Sequence, residues 1–150
     1  MVLQHALGLA HSFNADLYVV HVVEPMGLFA ESVLQSYLDE QALNALHQQG
    51  ISTMLGNIEH RIVDSLRDEL AERQQELALI RSVKVIQGEP SQVILEQSQM
   101  LAVDLLILGS HGQPSGDITH LGRTAARVVE LAQMPVYLVP LLQRRRPTDG

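Results

Sequence analysis

The chain has 150 residues, 46% of them hydrophobic and 18% charged, with no cysteine, no Trp, two Phe, three Tyr and a formal net charge of −7. That length suits one domain able to bury roughly 70% of the surface its unfolded chain exposes, and the composition excludes a disordered chain. The absence of thiols excludes a disulfide scaffold, thiol catalysis and thiolate metal sites, while the acidic balance and scarce aromatics argue against a nucleic-acid binder.

Residues 1–13 place Leu3, Ala6, Leu7, Ala10 and Phe13 at helical spacing, which predicts an amphipathic helix stopped at Asn14. Neither a cationic leader nor an apolar run near the roughly 20 residues of a membrane span is visible. A cytoplasmic location is therefore expected. The stretch 15–23, ADLYVVHVV, is almost wholly apolar. It predicts a strand buried on both faces of a parallel sheet, with His21 a hydrogen-bonded core residue.

Two helices are expected over 31–49 and 53–80, separated near Gly50. The second carries a stripe from Met54 through Ile58, Ile62, Leu66 and Leu70 to Ile80, with Glu69 and Arg73 in i,i+4 support. Its region around Gln74 and Gln75 is poorly apolar and is expected to protrude or meet a partner. A strand follows at Ser82–Ile86, then a turn at Gly88–Pro90 and a helix capped by Ser91 that runs to about Met100. Val103–Leu108 reads as a strand with Asp104 near its start. Gly122–Gln133 reads as a helix with Ala125, Ala126, Val129 and Ala132 on one side. Val136–Val139 is a last strand closed by Pro140. Strands alternating with helices predict an α/β fold with parallel strands. Residues 1–140 are read as one domain, with 31–80 a helical insertion and 141–150, including Arg144–Arg146, a solvated tail.

The segment that carries chemistry is Gly109-Ser110-His111-Gly112, then nine residues, then Gly122-Arg123-Thr124. Glycine lets the backbone turn sharply and approach a ligand closely. A helix N-terminus favours phosphate, and ligands of open α/β sheets sit beyond the carboxyl ends of strands. Read by spacing alone, the three glycines fit a phosphate-binding turn and equally fit ordinary turn and cap positions. Neither a Walker A loop nor a GxGxxG fingerprint is present. Thr124 offers a hydroxyl and His111 a ring to a ligand there. The seven histidines show no HxxxH or HExxH spacing and are read as solvated or core residues. Asp104 and Asp117 lack a partner carboxylate for acid–base or magnesium work, and Ser110 with His111 forms no GxSxG elbow.

The run 109–124 resembles the nucleotide-binding signature of the universal stress protein family: Gly, two residues, Gly, nine residues, Gly, then Ser or Thr. ADLYVVHVVEP at 15–25, GEPSQVILEQSQMLAVDLLILGSHG at 88–112 and MPVYLVP at 134–140 are similar to family segments as well. The resemblance implies a flavodoxin-like α/β fold, an open parallel sheet with helices on both faces, and a homodimer paired through Val136–Val139. It implies a bound adenine nucleotide, ATP or AMP, with or without Mg. Val22 and Leu108 would then flank adenine and ribose, and Gly109, Gly112 and Gly122 would approach ribose and phosphates.

Two departures stand out. Arg123 occupies the place of a phosphate-contacting Ser or Thr, and a guanidinium there either pairs with phosphate or fills its site. Thr124 is rotated about 100° from that place on a helix and is no simple substitute. Further, the family's first strand is missing from this chain. A start set too far downstream is the preferred account. A strand from another segment or chain, or closing of the two flanking strands onto each other, are the alternatives. The function expected is that of a nucleotide-binding stress sensor or regulator, with at most slow ATP hydrolysis. It would act by ordering residues 113–121 and so biasing dimerisation or partner choice. A dimeric interaction module that binds no nucleotide is the second expectation, with residues 31–80 as its partner surface.

Overall fold

The computed structural model describes residues 2–25, 36, 39–45, 49–111 and 121–140. In chain order the elements are α1 (Val2–Phe13), β1 (Leu17–Val23), α2 (Glu40–Ala45), α3 (Ile51–Glu69), α4 (Gln74–Leu77), β2 (Ile80–Gln87), α5 (Pro90–Met100), β3 (Leu106–Gly109), α6 (Arg123–Leu131) and β4 (Val136–Val139). They form two compact units, one of Asn14–Pro90 and one of Met1–Phe13 with Ser91–Gly150.

In the first unit β1 pairs with β2 in parallel, from Leu17 opposite Ile80 to Val23 opposite Gln87. The register slips by one residue between Leu17 and Tyr18, so that Tyr18 faces Ser82 and Arg81 is left over. Arg81 uses this freedom to place Nε 2.8 Å from Oδ1 of Asp16, just before β1. That hydrogen bond, and then the charge of Asp16, hold the guanidinium above arginine's already high ordinary range. The helix α3 packs on β2. In the second unit β3 pairs with β4 in parallel, from Leu106 opposite Val136 to Gly109 opposite Val139, and α1 packs against β3.

Several expectations need correction. The helix foreseen over 53–80 ends at Glu69, because the apolar repeat fails after Leu70, where the run Ala71–Gln75 is exposed. A single turn, α4, follows, and Ile80 already belongs to β2. The stripe on α3 is deeply buried only at Leu66, with Leu70 just beyond the helix, whereas Met54 is exposed. Helix α5 begins at Pro90, whose fixed φ suits the first helical position, so Ser91 lies inside the helix and is buried rather than capping it. Strand β3 starts three residues later than expected, and Asp104 is exposed in the bend before it. On α6 the buried face holds Ala125 and Val128, one turn apart, while Ala126 and Val129 are exposed. Phe13, placed on the stripe of α1, is exposed at that helix's last position. His21 is exposed and not a core residue, since β1 is laddered on one side alone among the described residues and is less covered than a central strand.

Among the described residues the strands form two two-stranded sheets, β1–β2 and β3–β4. Helix α1, its stop at Asn14 and strand β4 match expectation to within a residue. Asn14 turns the chain with φ of 51°, a left-handed conformation that Asn tolerates. Residues 31–35, Gly112 and the tail 141–150 lie outside the described residues, as does the 113–121 segment apart from Leu121.

Candidate functional site

Strand β3 ends at Gly109, and the next residue is the junction of the site. The Ser110 N–H donates to the Val139 carbonyl at 2.9 Å, which extends the β3–β4 ladder by one bond. The Ser110 carbonyl accepts from the Gly122 N–H at 2.8 Å. Gly122 is the N-cap of α6. One buried residue thus fastens the end of a strand to the start of a helix. The side chain adds a third tie: Ser110 Oγ lies 2.7 Å from His111 Nδ1.

The motif residues of this unit therefore meet around one turn. Leu108 is half-buried in β3 opposite Leu138, and Gly109 closes the strand opposite Val139. Neither Gly109 nor Gly122 is in a left-handed conformation: no described glycine has a positive φ, and Gly122 has φ of −57° and ψ of 153°, open to any residue. The sharp turn foreseen for these glycines is not what the backbone requires. A Cβ on Gly109 would meet Val2 Cγ2 at 3.5 Å and the His111 carbonyl at 3.6 Å, ordinary contacts.

Arg123 is exposed at the first position of α6, and Thr124 is half-buried at the second. No acidic residue sits in that first turn, and Arg123 forms no ion pair with a described residue. The free N–H groups of the first turn carry partial positive charge, and the guanidinium adds a full one. Chemically the turn is suited to an anion. Val22 is half-buried near the end of β1, opposite Ile86, in the other unit. Gly112 lies outside the described residues. A groove of about 820 Å³ walled by Ala42, Thr53, Met54, Ile58 and Arg61 holds none of the motif residues. Among the described residues no group of three or more His, Asp or Glu is placed to hold a metal ion.

Sequence reasoning passed over Ser110. Its importance lies in its main chain, which bonds to two elements, and a backbone role leaves no side-chain signature. The available signal was position: a small polar residue between strand end and motif turn.

The chain matches the model of the Universal stress protein family over residues 1–140. It is 24% identical over 142 residues to Universal stress protein MJ0531 of Methanocaldococcus jannaschii, covering 91% of this chain and 71% of that protein. Its fold is similar to universal stress protein UspA from Lactobacillus plantarum, with a TM-score of 0.55, 22% identity, and 92% and 86% of the two chains covered. It is also similar to hypothetical protein MJ0577, with a TM-score of 0.54, 17% identity, and coverage of 95% and 90%. A universal stress protein solved in complex with cAMP aligns with a TM-score of 0.50 at 17% identity, over 93% and 84% of the chains. These structural likenesses place the chain in the flavodoxin-like α/β fold.

Proposed function

The chain belongs to the universal stress protein family, and from there we propose that it is an adenine-nucleotide-binding regulator. Its phosphate end would lie at the turn joining β3 to α6. The observation that carries this reading is the bond from the Gly122 N–H to the Ser110 carbonyl, 2.8 Å long, which brings the strand end and the helix N-terminus of the Gly-x2-Gly-x9-Gly segment together. Arg123 with the first turn of α6 offers positive charge to phosphate. Leu108 and Thr124 are the proposed apolar and hydroxyl contacts. A similar fold is known with bound cAMP, which supports an adenine nucleotide as the ligand class. The groups described at the turn include no carboxylate base, so regulation fits better than rapid hydrolysis. A second protomer would pair through β4, Val136–Val139.

Thermal unfolding of the whole chain with magnesium-ATP, AMP and cAMP tests the reading. Saturation at 100 times the dissociation constant stabilises by about 2.7 kcal/mol, a clear rise in midpoint. Gly109→Ala is the informative variant. Its Cβ has room, so the ligand-free midpoint stays where it was, and the nucleotide-induced rise should shrink. A wild-type midpoint that no nucleotide moves would favour the second reading, a dimeric interaction module. Arg123 gives that reading its footing, since it stands where the family signature has Ser or Thr and its bulk can occupy a phosphate site.

A further inference from the structure

We propose that the groove alongside α3 binds a small amphipathic carboxylate, an acyl chain lying on apolar side chains with its anionic head on Arg61. Met54, Asn57, Ile58 and Arg61 stand at i, i+3, i+4 and i+7, so they share one face of α3 and extend about 10 Å along its axis. With Thr53 and with Ala42 of α2 they wall a groove of about 820 Å³ within the first unit. That volume lies in the range of roughly 300–1,000 Å³ usual for small-molecule sites.

The face changes character along its length. Its body is apolar, from Met54, Ile58 and Ala42. Met54 is 40% exposed, an adaptable thioether side chain that the fold leaves uncovered. Arg61 closes the far end. It is exposed and forms no ion pair with a described residue, although Asp64 lies one turn further along α3. Among the described residues that line the groove no side chain is acidic, in a chain of net charge −7. The guanidinium is therefore left for an outside anion. Asn57, one turn before Arg61, offers amide N–H donors to the same group. The anion is a carboxylate rather than a phosphate. Arg61 lies mid-helix, where neither helix end adds charge, and one guanidinium with one amide balances a single negative charge.

Titration of the whole chain with decanoate, followed by backbone amide chemical shifts and by calorimetry, tests the site. Decanol and octanoate are the comparison probes, and Met54→Asp, Arg61→Ala and Arg67→Ala the variants. All three positions are exposed, so the ligand-free unfolding midpoints should stay close to wild type. The expected result is saturable decanoate binding with shifts confined to the groove face of α3. Octanoate, two methylenes shorter, should bind roughly tenfold more weakly, since each buried methylene is worth about fourfold. Arg61→Ala should weaken decanoate about tenfold or more and leave decanol unchanged. Met54→Asp should weaken both. Arg67→Ala removes a cation on the same helix outside the groove and should change neither. Equal losses in Arg61→Ala and Arg67→Ala overturn the site, because general charge attraction would then suffice. Decanol binding as tightly as decanoate overturns the carboxylate. A wild-type chain that binds no decanoate, or binds it with shifts elsewhere, overturns the proposal outright. So does sedimentation showing a self-associated chain that Met54→Asp separates, since a second copy would then occupy the groove.

Discussion

The two strand pairs have the same parallel arrangement and are used differently. The β1–β2 ladder runs seven residues along β1, yet among the described residues the buried hydrophobic side chains of its unit are Leu66, Leu70 and Val85. The β3–β4 ladder is four residues long, and its unit buries Ala6, Leu7, Ala10, Val93, Ala125, Val128 and Val139. The buried polar residues, Ser91, Ser98 and Ser110, belong to that second unit as well. Ladder length thus does not predict depth of burial. Helix α1, which buries Ala6 and Ala10, packs against β3, and the buried hydroxyls of Ser98 and Ser110 have partners in the Leu95 carbonyl and His111 Nδ1. The turn from Gly109 to Gly122, fastened through Ser110, belongs to that unit as well.

The sharpest way to break this contrast is truncation. Leu66→Ala in the first unit should cost about 2–5 kcal/mol, since Leu66 is 5% exposed. Val128→Ala and Val139→Ala in the second unit, both at 0% exposure, should cost about 2 kcal/mol each because fewer methyl groups are lost. Met54→Ala, at 40% exposure on α3, should fall within about 0.5 kcal/mol. Urea unfolding of the four variants decides the matter. If Met54→Ala proves as costly as Leu66→Ala, the first unit is better covered than its exposures indicate and the contrast fails.

How much of this was legible beforehand differs between the two units for a physical reason. In the second, α1, α6 and β4 announced themselves by periodicity and by hard stops at Asn14, Gly122 and Pro135, and the signature glycines fell on the strand end and the helix cap. In the first, the apolar repeat from Met54 to Ile80 could be read as one long helix, because Leu70, Leu77 and Ile80 keep helical spacing across a break. Tertiary pairing decides it: Ile80 joins the ladder opposite Leu17, and pairing overrides local periodicity. The expected stripe of α6 had Ala125 right but took Ala126 and Val129 where Val128 is buried, since alanine marks neither face strongly. The role of Ser110 was invisible because it is carried by an N–H and a carbonyl that every residue owns. The pairing of Ser110 with His111 needed the distance, not the spacing.

A smaller effect probes the second unit's close packing at the end of α5. There Ala102 has φ of 50°, with its N–H bonded to the Gln99 carbonyl at 3.1 Å and the Val103 N–H bonded to the Ser98 carbonyl at 3.2 Å. This is a Schellman cap with alanine where glycine is usual. The left-handed conformation costs alanine about 1–2 kcal/mol, while glycine costs about 0.5–1 kcal/mol through the freedom of its unfolded chain. Ala102→Gly should therefore stabilise by about 0.5–1 kcal/mol, seen as a higher midpoint. A lower midpoint would mean that the Ala102 methyl group packs better than its exposed position suggests.

The smallest effect belongs to the first unit and concerns its one ion pair that bridges distant segments, Arg81 with Asp16, among the described residues. The geometry is good, at 2.8 Å, but both side chains are more than half exposed, at 59% and 52%. Water screens such a pair and the side chains lose freedom in forming it, so Arg81→Ala should leave the midpoint nearly unchanged. The pH dependence points the same way. Asp16 raises the Arg81 pKa in the folded chain above its unfolded value. Whatever stability this supplies is fully present below the unfolded value and is lost as pH rises through the folded one, far into the alkaline range. Stability across the neutral range should then be the same function of pH in wild type and Arg81→Ala. A variant that loses stability throughout would show that the slipped register at Tyr18, which frees Arg81 from the ladder, is held by this contact rather than by the strands themselves.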